Sequence, residues 1–448
     1  MKRTVSLITI VGFVLFMSNG ITGPITSLYR ESLGATYVAI GMLGTVASIT
    51  GVFFSYFWGR ASDRLGRRKL FLVGSLAVQV VTYGLIAAAP TYIALFPLNV
   101  LLAASQAAYG TASLALMGDL LEHERSGRGR RMGVFRGLSS FGFGLMAFAS
   151  GTVADRLSLR APFVVAAGFA LVALILMLRV EEPPAENDET DADASLSLRD
   201  TPAFLWGVTR STLAGMGDAI RQVFVALHER GGNEGAATSS HETDRYSERG
   251  ERLPLSPLLI SSLLWSLVTG AVYAVWANYM VHEVGFSPSH MSRLWSVASL
   301  SELPLMILAG WLSDRVGRLP MLSLGFVAWT AVFMGYVFIP VMPWIIVVQL
   351  TRGFAYSAFT ATAMTYATEV RARSQRGEIS GLYASAGGIG SILGASVGGA
   401  LTQFMGFKVM FSTMAGLILA GAAYLAIVAI RCRAGASAGA RTVEGLSH

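Results

Sequence analysis

Charge is what this 448-residue chain has least of: only 14% of its residues are Asp, Glu, Lys or Arg. A soluble globular domain carries roughly 25%, so a water-exposed surface in proportion to this length is excluded. Cysteine is nearly absent as well. The single Cys432 rules out a disulfide framework and a cysteine-based metal site. The six histidines (His123, His228, His241, His282, His290 and His448) fall in loops, helix ends or the tail, and none is paired at metal-ligand spacing inside an apolar run. No G-x-x-x-x-G-K-[ST] loop occurs, so the chain does not itself hydrolyse ATP. No nucleophile–His–acid set can be assembled within the apolar runs. These absences predict a protein that is not an enzyme and that needs no metal and no cofactor.

What is present is apolar sequence, 53% of all residues. One bilayer crossing takes about 20 mostly apolar residues. Such stretches fall at approximately 5–28, 36–58, 70–89, 92–117, 132–154 and 161–179, and again at 256–284, 290–312, 320–339, 343–367, 379–404 and 407–430. The first begins like a signal peptide, with Lys2 and Arg3, but runs past Pro24 to Leu28 without a small-residue cleavage site. It reads as a membrane helix. The expectation is an all-α membrane protein of twelve transmembrane helices.

Net charge is +7, but the basic residues do not form a nucleic-acid face. They sit in short breaks between apolar runs, and on alternate breaks. Lys2, Arg3, Arg60, Arg64, Arg67, Arg68, Lys69, Arg125, Arg128, Arg130, Arg131, Arg136, Arg315, Arg318, Arg371, Arg373, Arg376, Arg431 and Arg433 occupy one set of ends. Arg30, Arg156, Arg160, Arg293 and Lys408 occupy the other. Positive charge marks the cytoplasmic side, which predicts both termini in the cytoplasm and a multi-pass protein of the cell membrane. The partition is 1–180 for an N-terminal six-helix bundle, 181–255 for a linker, 256–432 for a C-terminal bundle and 433–448 for a cytoplasmic tail. The linker opens with an acidic, solvated run from Glu181 to Asp193. A mixed segment from Phe204 to Leu227 follows, interrupted by Arg210, Asp218 and Arg221. It is too charged to span. It fits a surface helix on the cytoplasmic leaflet, or one packed on the cytoplasmic loops that restrains the two halves.

The halves repeat each other. Gly59-Arg60-Ala61-Ser62-Asp63-Arg64-Leu65-Gly66-Arg67 follows the second span, and Gly310-Trp311-Leu312-Ser313-Asp314-Arg315-Val316-Gly317-Arg318 follows the eighth. Arg131 to Gly137 and Arg376 to Gly381 likewise open the fifth and eleventh spans, which are then rich in glycine. On these motifs the chain resembles the major facilitator superfamily, whose signature between helices two and three is a loop of this kind. The resemblance covers all twelve spans and the linker. It implies two six-helix bundles rocking about a central site, with a small-molecule substrate, the bilayer and protons as partners, and a monomer. It also implies that Gly59, Asp63, Arg64, Gly66 and Arg67, with Gly310, Asp314, Arg315, Gly317 and Arg318, form a cytoplasmic gate. Asp63 can accept charge-assisted hydrogen bonds from Arg67 or a helix end, and Gly66 permits the sharp reversal. Positive charge serving topology alone would look the same.

Two charges lie deep in predicted spans, Glu302 in the eighth and Arg352 in the tenth. A charge at the bilayer centre costs about 2.5–3.5 kcal/mol on insertion scales, so each needs a partner, water or a task. Trp295, Ser299 and Glu302 share one helix face, as do Gln349, Arg352 and Tyr356. Proton coupling through Glu302 with Arg352 as its modulator, substrate binding by the pair, and a static ion pair are all compatible with this pattern. The N-terminal half has no buried charge pair, only amides and hydroxyls: Asn19, Gln79 with Tyr83, and a stripe of Asn99, Gln106 and Ser113. That stripe is a candidate cavity wall or helix–helix glue. Tyr273, Trp276 and Tyr279 are candidate aromatic walls.

A proton-coupled transporter of a small organic solute is the expected function. Efflux of drug-like amphiphiles is the alternative. Drug exporters of the resembled superfamily carry a Gly-Pro signature in helix five and an arginine in helix four, and this chain has neither at the corresponding places. A receptor or scaffold on the same fold is the reading from another class; the charges retained in the spans argue against it.

Overall fold

Apolar runs can satisfy their backbone groups in hydrocarbon only by closing each N–H on a carbonyl of the same helix. The computed structural model of the chain is accordingly all-helical over the residues it describes, 2–65, 67–122, 128–180, 201–228, 254–370 and 376–445. The first span is α1 (Lys2–Thr22), a 3₁₀ turn at Gly23–Ile25 and α2 (Thr26–Ser32). Pro24 forces that turn, because it has no N–H to donate. Then come α3 (Tyr37–Leu65), α4 (Arg68–Ala88), α5 (Leu95–Glu122), α6 (Arg128–Arg156) and α7 (Ala161–Leu178). The linker contributes α8 (Thr201–His228). The second sextet is α9 (Leu255–Asn278, closed by a π-helical turn), α10 (Pro288–Val316), α11 (Arg318–Phe338), α12 (Trp344–Glu369), α13 (Arg376–Met405) and α14 (Phe407–Gly445). Among the described residues, eleven helices are long and apolar enough to cross a membrane. The remaining expected span, α12, has the length at 26 residues, but Gln349, Thr351 and Arg352 dilute its apolar run. One boundary differs clearly from expectation: α14 continues to Gly445 rather than ending near residue 430.

Packing divides the chain into two compact units, one of residues 1–217 and 273–300, the other of 218–272 and 301–448. In the first, α1 packs on α6 and α7, α3 on α5, and α4 on α5 and α7. In the second, α11 packs on α12 and α14. Since α4 and α11 each open the third span of a sextet, the α4–α5 and α4–α7 contacts recur as α11–α12 and α11–α14. Small residues allow these approaches, and hydroxyls bind across them. Ala166, Ala170 and Ala173 of α7 are fully buried, and Ser18 of α1 donates to the Ala166 carbonyl at 3.0 Å. The opposite face of α7 presents Leu171, Ile175 and Leu178, as a lipid-facing surface should.

The described part of the linker, α8, is amphipathic rather than spanning. Phe204 and Val208 pack with Phe57 and Ala61 of α3, and Val223 packs with Leu259, Leu382 and Ala386. Trp206, Leu213, Ile220 and Phe224 remain exposed. The acidic run 181–200 lies outside the described residues.

Candidate functional site

In the first unit, a cavity of about 360 Å³ opens between α1, α2, α4 and α5. Three of the sequence candidates, Asn19, Asn99 and Gln106, line it. They are not isolated. Tyr83 Oη donates to Asn19 Oδ1 at 2.9 Å, and Gln106 Nε2 donates to the same oxygen at 3.1 Å. One acceptor thus fixes two donors from two other helices, leaving the Asn19 and Gln106 amides with further capacity toward the cavity. Ser113, the last member of the α5 stripe, instead bonds back to Gly110 of its own helix at 3.3 Å. Gln79 is fully buried and does not line the cavity.

The cavity also holds a residue that sequence reasoning counted only as a loop charge. Arg30 lines it, and its Nη2 donates to Asn99 Oδ1 at 3.3 Å. The chain runs on through the 3₁₀ turn at Gly23–Ile25 into α2, and Arg30 stands there among the residues that line the cavity. The signal was present: Asn19, Thr22, Thr26 and Arg30 recur at steps of three and four, and all four line the cavity.

In the second unit, α10 carries Glu302 and α12 carries Arg352. Ser357 Oγ donates to the Glu302 carbonyl at 3.1 Å, which joins the helices at this level. Arg352 is only 4% exposed. Arg352 Nη1 donates to Gln349 Oε1 at 3.2 Å. Gln349 is itself fully buried, and its Nε2 has no hydrogen-bond partner among the described residues. Tyr356 sits over Trp265, ring centroids 5.9 Å apart. Trp276 lies elsewhere, fully buried in the first unit with its ring 5.1 Å from that of Trp295. It does not line the Arg30 cavity, nor does the equally buried Tyr279.

The repeated loops show what the motif builds. Gly317 has φ +96°, a conformation that glycine adopts without strain, and it turns α10 into α11. Arg318 Nη1 then donates to Asp314 Oδ1 at 2.6 Å, the pairing expected of Arg67 with Asp63 in the first copy. Gly66 and the Asp63 side chain lie outside the described residues. Arg318 also grips Glu369, through Nε at 2.9 Å and Nη2 at 2.8 Å. A cation opening α11 and a carboxylate ending α12 each oppose their own helix dipole, so pairing relieves both. The first unit repeats the device: Arg68, opening α4, donates to Asp119 in the last turn of α5 at 2.6 Å. Arg64 and Arg67 are exposed, Gly59 and Gly310 lie within helices, and Arg315 stacks on Trp311 at 3.8 Å. A double-mutant cycle on Arg318→Gln and Glu369→Gln, read by thermal unfolding, should show a coupling of about 1 kcal/mol, modest because the pair is partly solvated. Additive effects would show that the fork is not formed.

A family model described as the MFS_1 like family matches residues 6–413. The chain belongs to the MFS_1 like family, and it is a transporter of the major facilitator superfamily. This family transports solutes and is not enzymatic. Multidrug resistance protein 2 of Bacillus subtilis (strain 168) is 22% identical to this transporter over 411 residues, 89% of each chain. A putative sugar efflux transporter of Deinococcus radiodurans is 24% identical over 428 residues, 92% of this chain and 95% of that one. Among solved structures, the nucleoside transporter NupG superposes with a TM-score of 0.69 at 17% identity, covering 96% of this chain and 98% of that chain. The superposition shows the same fold.

Proposed function

We propose that this transporter couples movement of a small organic solute to protons, with Glu302 as the proton-carrying carboxylate and Arg352 as the cation that modulates it. The observation that carries the reading is the hydrogen bond that joins α12 to α10 at Glu302, from Ser357 Oγ to its carbonyl, with Arg352 buried on the same α12. A carboxylate inside the membrane needs a counter-charge or a proton. If the counter-charge changes distance during the transport cycle, the proton must come and go. Gln349 holds the guanidinium, and its unpartnered amide N–H gives water or solute a place to bind. The cavity lined by Asn19, Asn99 and Gln106 is the solute site of the N-terminal half. Both termini are cytoplasmic, on the bias of Lys and Arg between alternate helix ends. The bundles 1–180 and 256–432 rock about the site, with the loops at Asp63 and Asp314 as cytoplasmic gates.

The test is proton movement in proteoliposomes loaded with a pH-sensitive dye, using a panel of nucleosides, sugars, aromatic acids and cationic dyes. A solute that moves protons through the wild type should move them at least about tenfold more slowly through Glu302→Gln, as expected when a proton-transfer group is removed. Solute–solute counterflow should continue. Undiminished proton flux through Glu302→Gln would overturn the assignment.

Export is the second reading, favoured by the names of relatives that match along almost the whole chain, multidrug resistance protein 2 and the putative sugar efflux transporter. The direction of proton movement in the same assay decides it.

A further inference from the structure

Arg30 is the one charge among the described residues that line the cavity of the first unit. Among the described residues its guanidinium makes no ion pair, and its hydrogen-bond partner is the neutral Asn99 at 3.3 Å. The neighbouring carboxylate is already committed elsewhere. Glu31 Oε2 accepts from Asn278 Nδ2 at 2.5 Å and lies 2.8 Å from His282 Nε2, while Tyr37 Oη donates to Glu31 Oε1 at 3.3 Å. An arginine near the end of a span can reach the interface by extending along the lipid. This one instead turns into the cavity and crosses to α5.

A guanidinium offers five donors in a planar fork that matches a carboxylate with two parallel bonds. Asn99 takes one donor, and an edge of the fork is left for a ligand. Beyond it, the Asn19–Tyr83–Gln106 cluster offers a neutral donor and acceptor, and Phe143 and Phe163 supply apolar walls. The volume of about 360 Å³ lies near the lower end of the roughly 300–1,000 Å³ of small-molecule sites, which suits a single ring and disfavours a large amphiphile.

We propose that Arg30, oriented by Asn99, is the anion-binding residue of a solute subsite in this cavity, and that the solute is a small one-ring organic carboxylate with a neutral hydrogen-bonding substituent. Arg30 pairs with the carboxylate, the amides and phenol of the inner cluster hold the substituent, and the aromatic walls cover the ring. The proposal deepens the transport reading, since it takes this cavity to be the solute site of the N-terminal half.

The test uses 4-hydroxybenzoate and its neutral isostere 4-hydroxybenzamide, titrated calorimetrically into the purified full-length chain in detergent. The acid should bind about tenfold or more tighter than the amide. Arg30→Gln should erase that preference, and Arg30→Lys should restore part of it, because it keeps the charge and loses the fork. Asn99→Asp places a carboxylate beside the guanidinium and should abolish acid binding without removing the cation, which covers the case in which Arg30→Gln does not fold. Equal affinity for acid and amide, no binding of the acid, or a preference that survives in both Arg30→Gln and Asn99→Asp overturns the proposal. No proton gradient enters the measurement. An acid preference without proton coupling would overturn the role of Glu302 alone, and coupling without the preference would overturn the role of Arg30 alone.

Discussion

Replacing Gly394 with alanine should destabilise the protein, while the same replacement at Gly381, on the same helix, should not. Alanine is the better helix former by about 1 kcal/mol, so on propensity both changes stabilise α13. The surroundings reverse the sign at one of them. A Cβ on Gly381 would meet nothing within 4 Å, whereas one on Gly394 would overlap the carbonyl, carbonyl carbon and Cα of Leu267. Gly390 and Gly398 meet the backbones of Leu263 and Ala271 in the same way. The four-residue spacing is therefore shared by both helices, 263, 267 and 271 on α9 against 390, 394 and 398 on α13. A clash with backbone cannot be relieved by a rotamer change, so the helices must separate along the whole stripe. Overpacking costs about 1–3 kcal/mol and occasionally more; with the backbone as the obstacle we expect the upper end, a fall of about 3 °C in the unfolding midpoint of a chain this long. Gly381→Ala should unfold at or slightly above the wild-type temperature. If Gly394→Ala matched it, α9 and α13 would not be in contact here.

The glycine stripe also shows how far the sequence could be read. Spacing announces that a backbone must come close to Gly390, Gly394 and Gly398, but not which helix supplies it, because every span is apolar and a partner leaves no mark in its own pattern. The helices themselves were legible because hydrocarbon imposes one length and one hydrogen-bonding solution on all of them. Glu302 and Arg352 were legible for the same reason, as charges conspicuous in apolar surroundings. Arg30 was not, because a charge two residues past an apolar run is ordinary where the run ends, and only the short continuation through α2 turns it inward. Asp119 and Glu369 were missed for a related reason: acidic residues at helix ends are unremarkable until the facing helix is known. Their equal separation from Arg68 and Arg318, 51 residues in each half, is a signal that the repeat carries. Trp276 is fully buried, and aromatic enrichment in the sequence does not distinguish a cavity wall from the core.

Gly151→Val should abolish a local helix contact and slow transport. Residues 273–300 belong to the C-terminal sextet by sequence, yet they pack in one unit with residues 1–217. The contact between α6 and the start of α10 is close. The Gly151 N–H donates to Ser292 Oγ at 3.0 Å, the Ser289 N–H donates to Asp155 Oδ2 at 3.0 Å, and Ser289 Oγ also meets that carboxylate oxygen. A Cβ on Gly151 would overlap the Pro288 carbonyl, so a side chain here is incompatible with the arrangement. Bundles that rock as proposed above would make such contacts in one state and release them in the other. Forbidding the contact should remove one state and slow turnover by about tenfold or more, the factor for every 1.4 kcal/mol of bias against it. The readout is chemical. The sole cysteine, Cys432, is changed to serine, and Asp155→Cys with Ser289→Cys is treated with a short thiol crosslinker. Crosslinking should be efficient in that background and lost when Gly151→Val is added. Ser292→Ala, which removes one hydrogen bond worth about 1 kcal/mol, should leave most of it. A crosslink that persists with Gly151→Val would mean that α6 and α10 do not meet at Gly151, and that this contact has no part in the transport cycle.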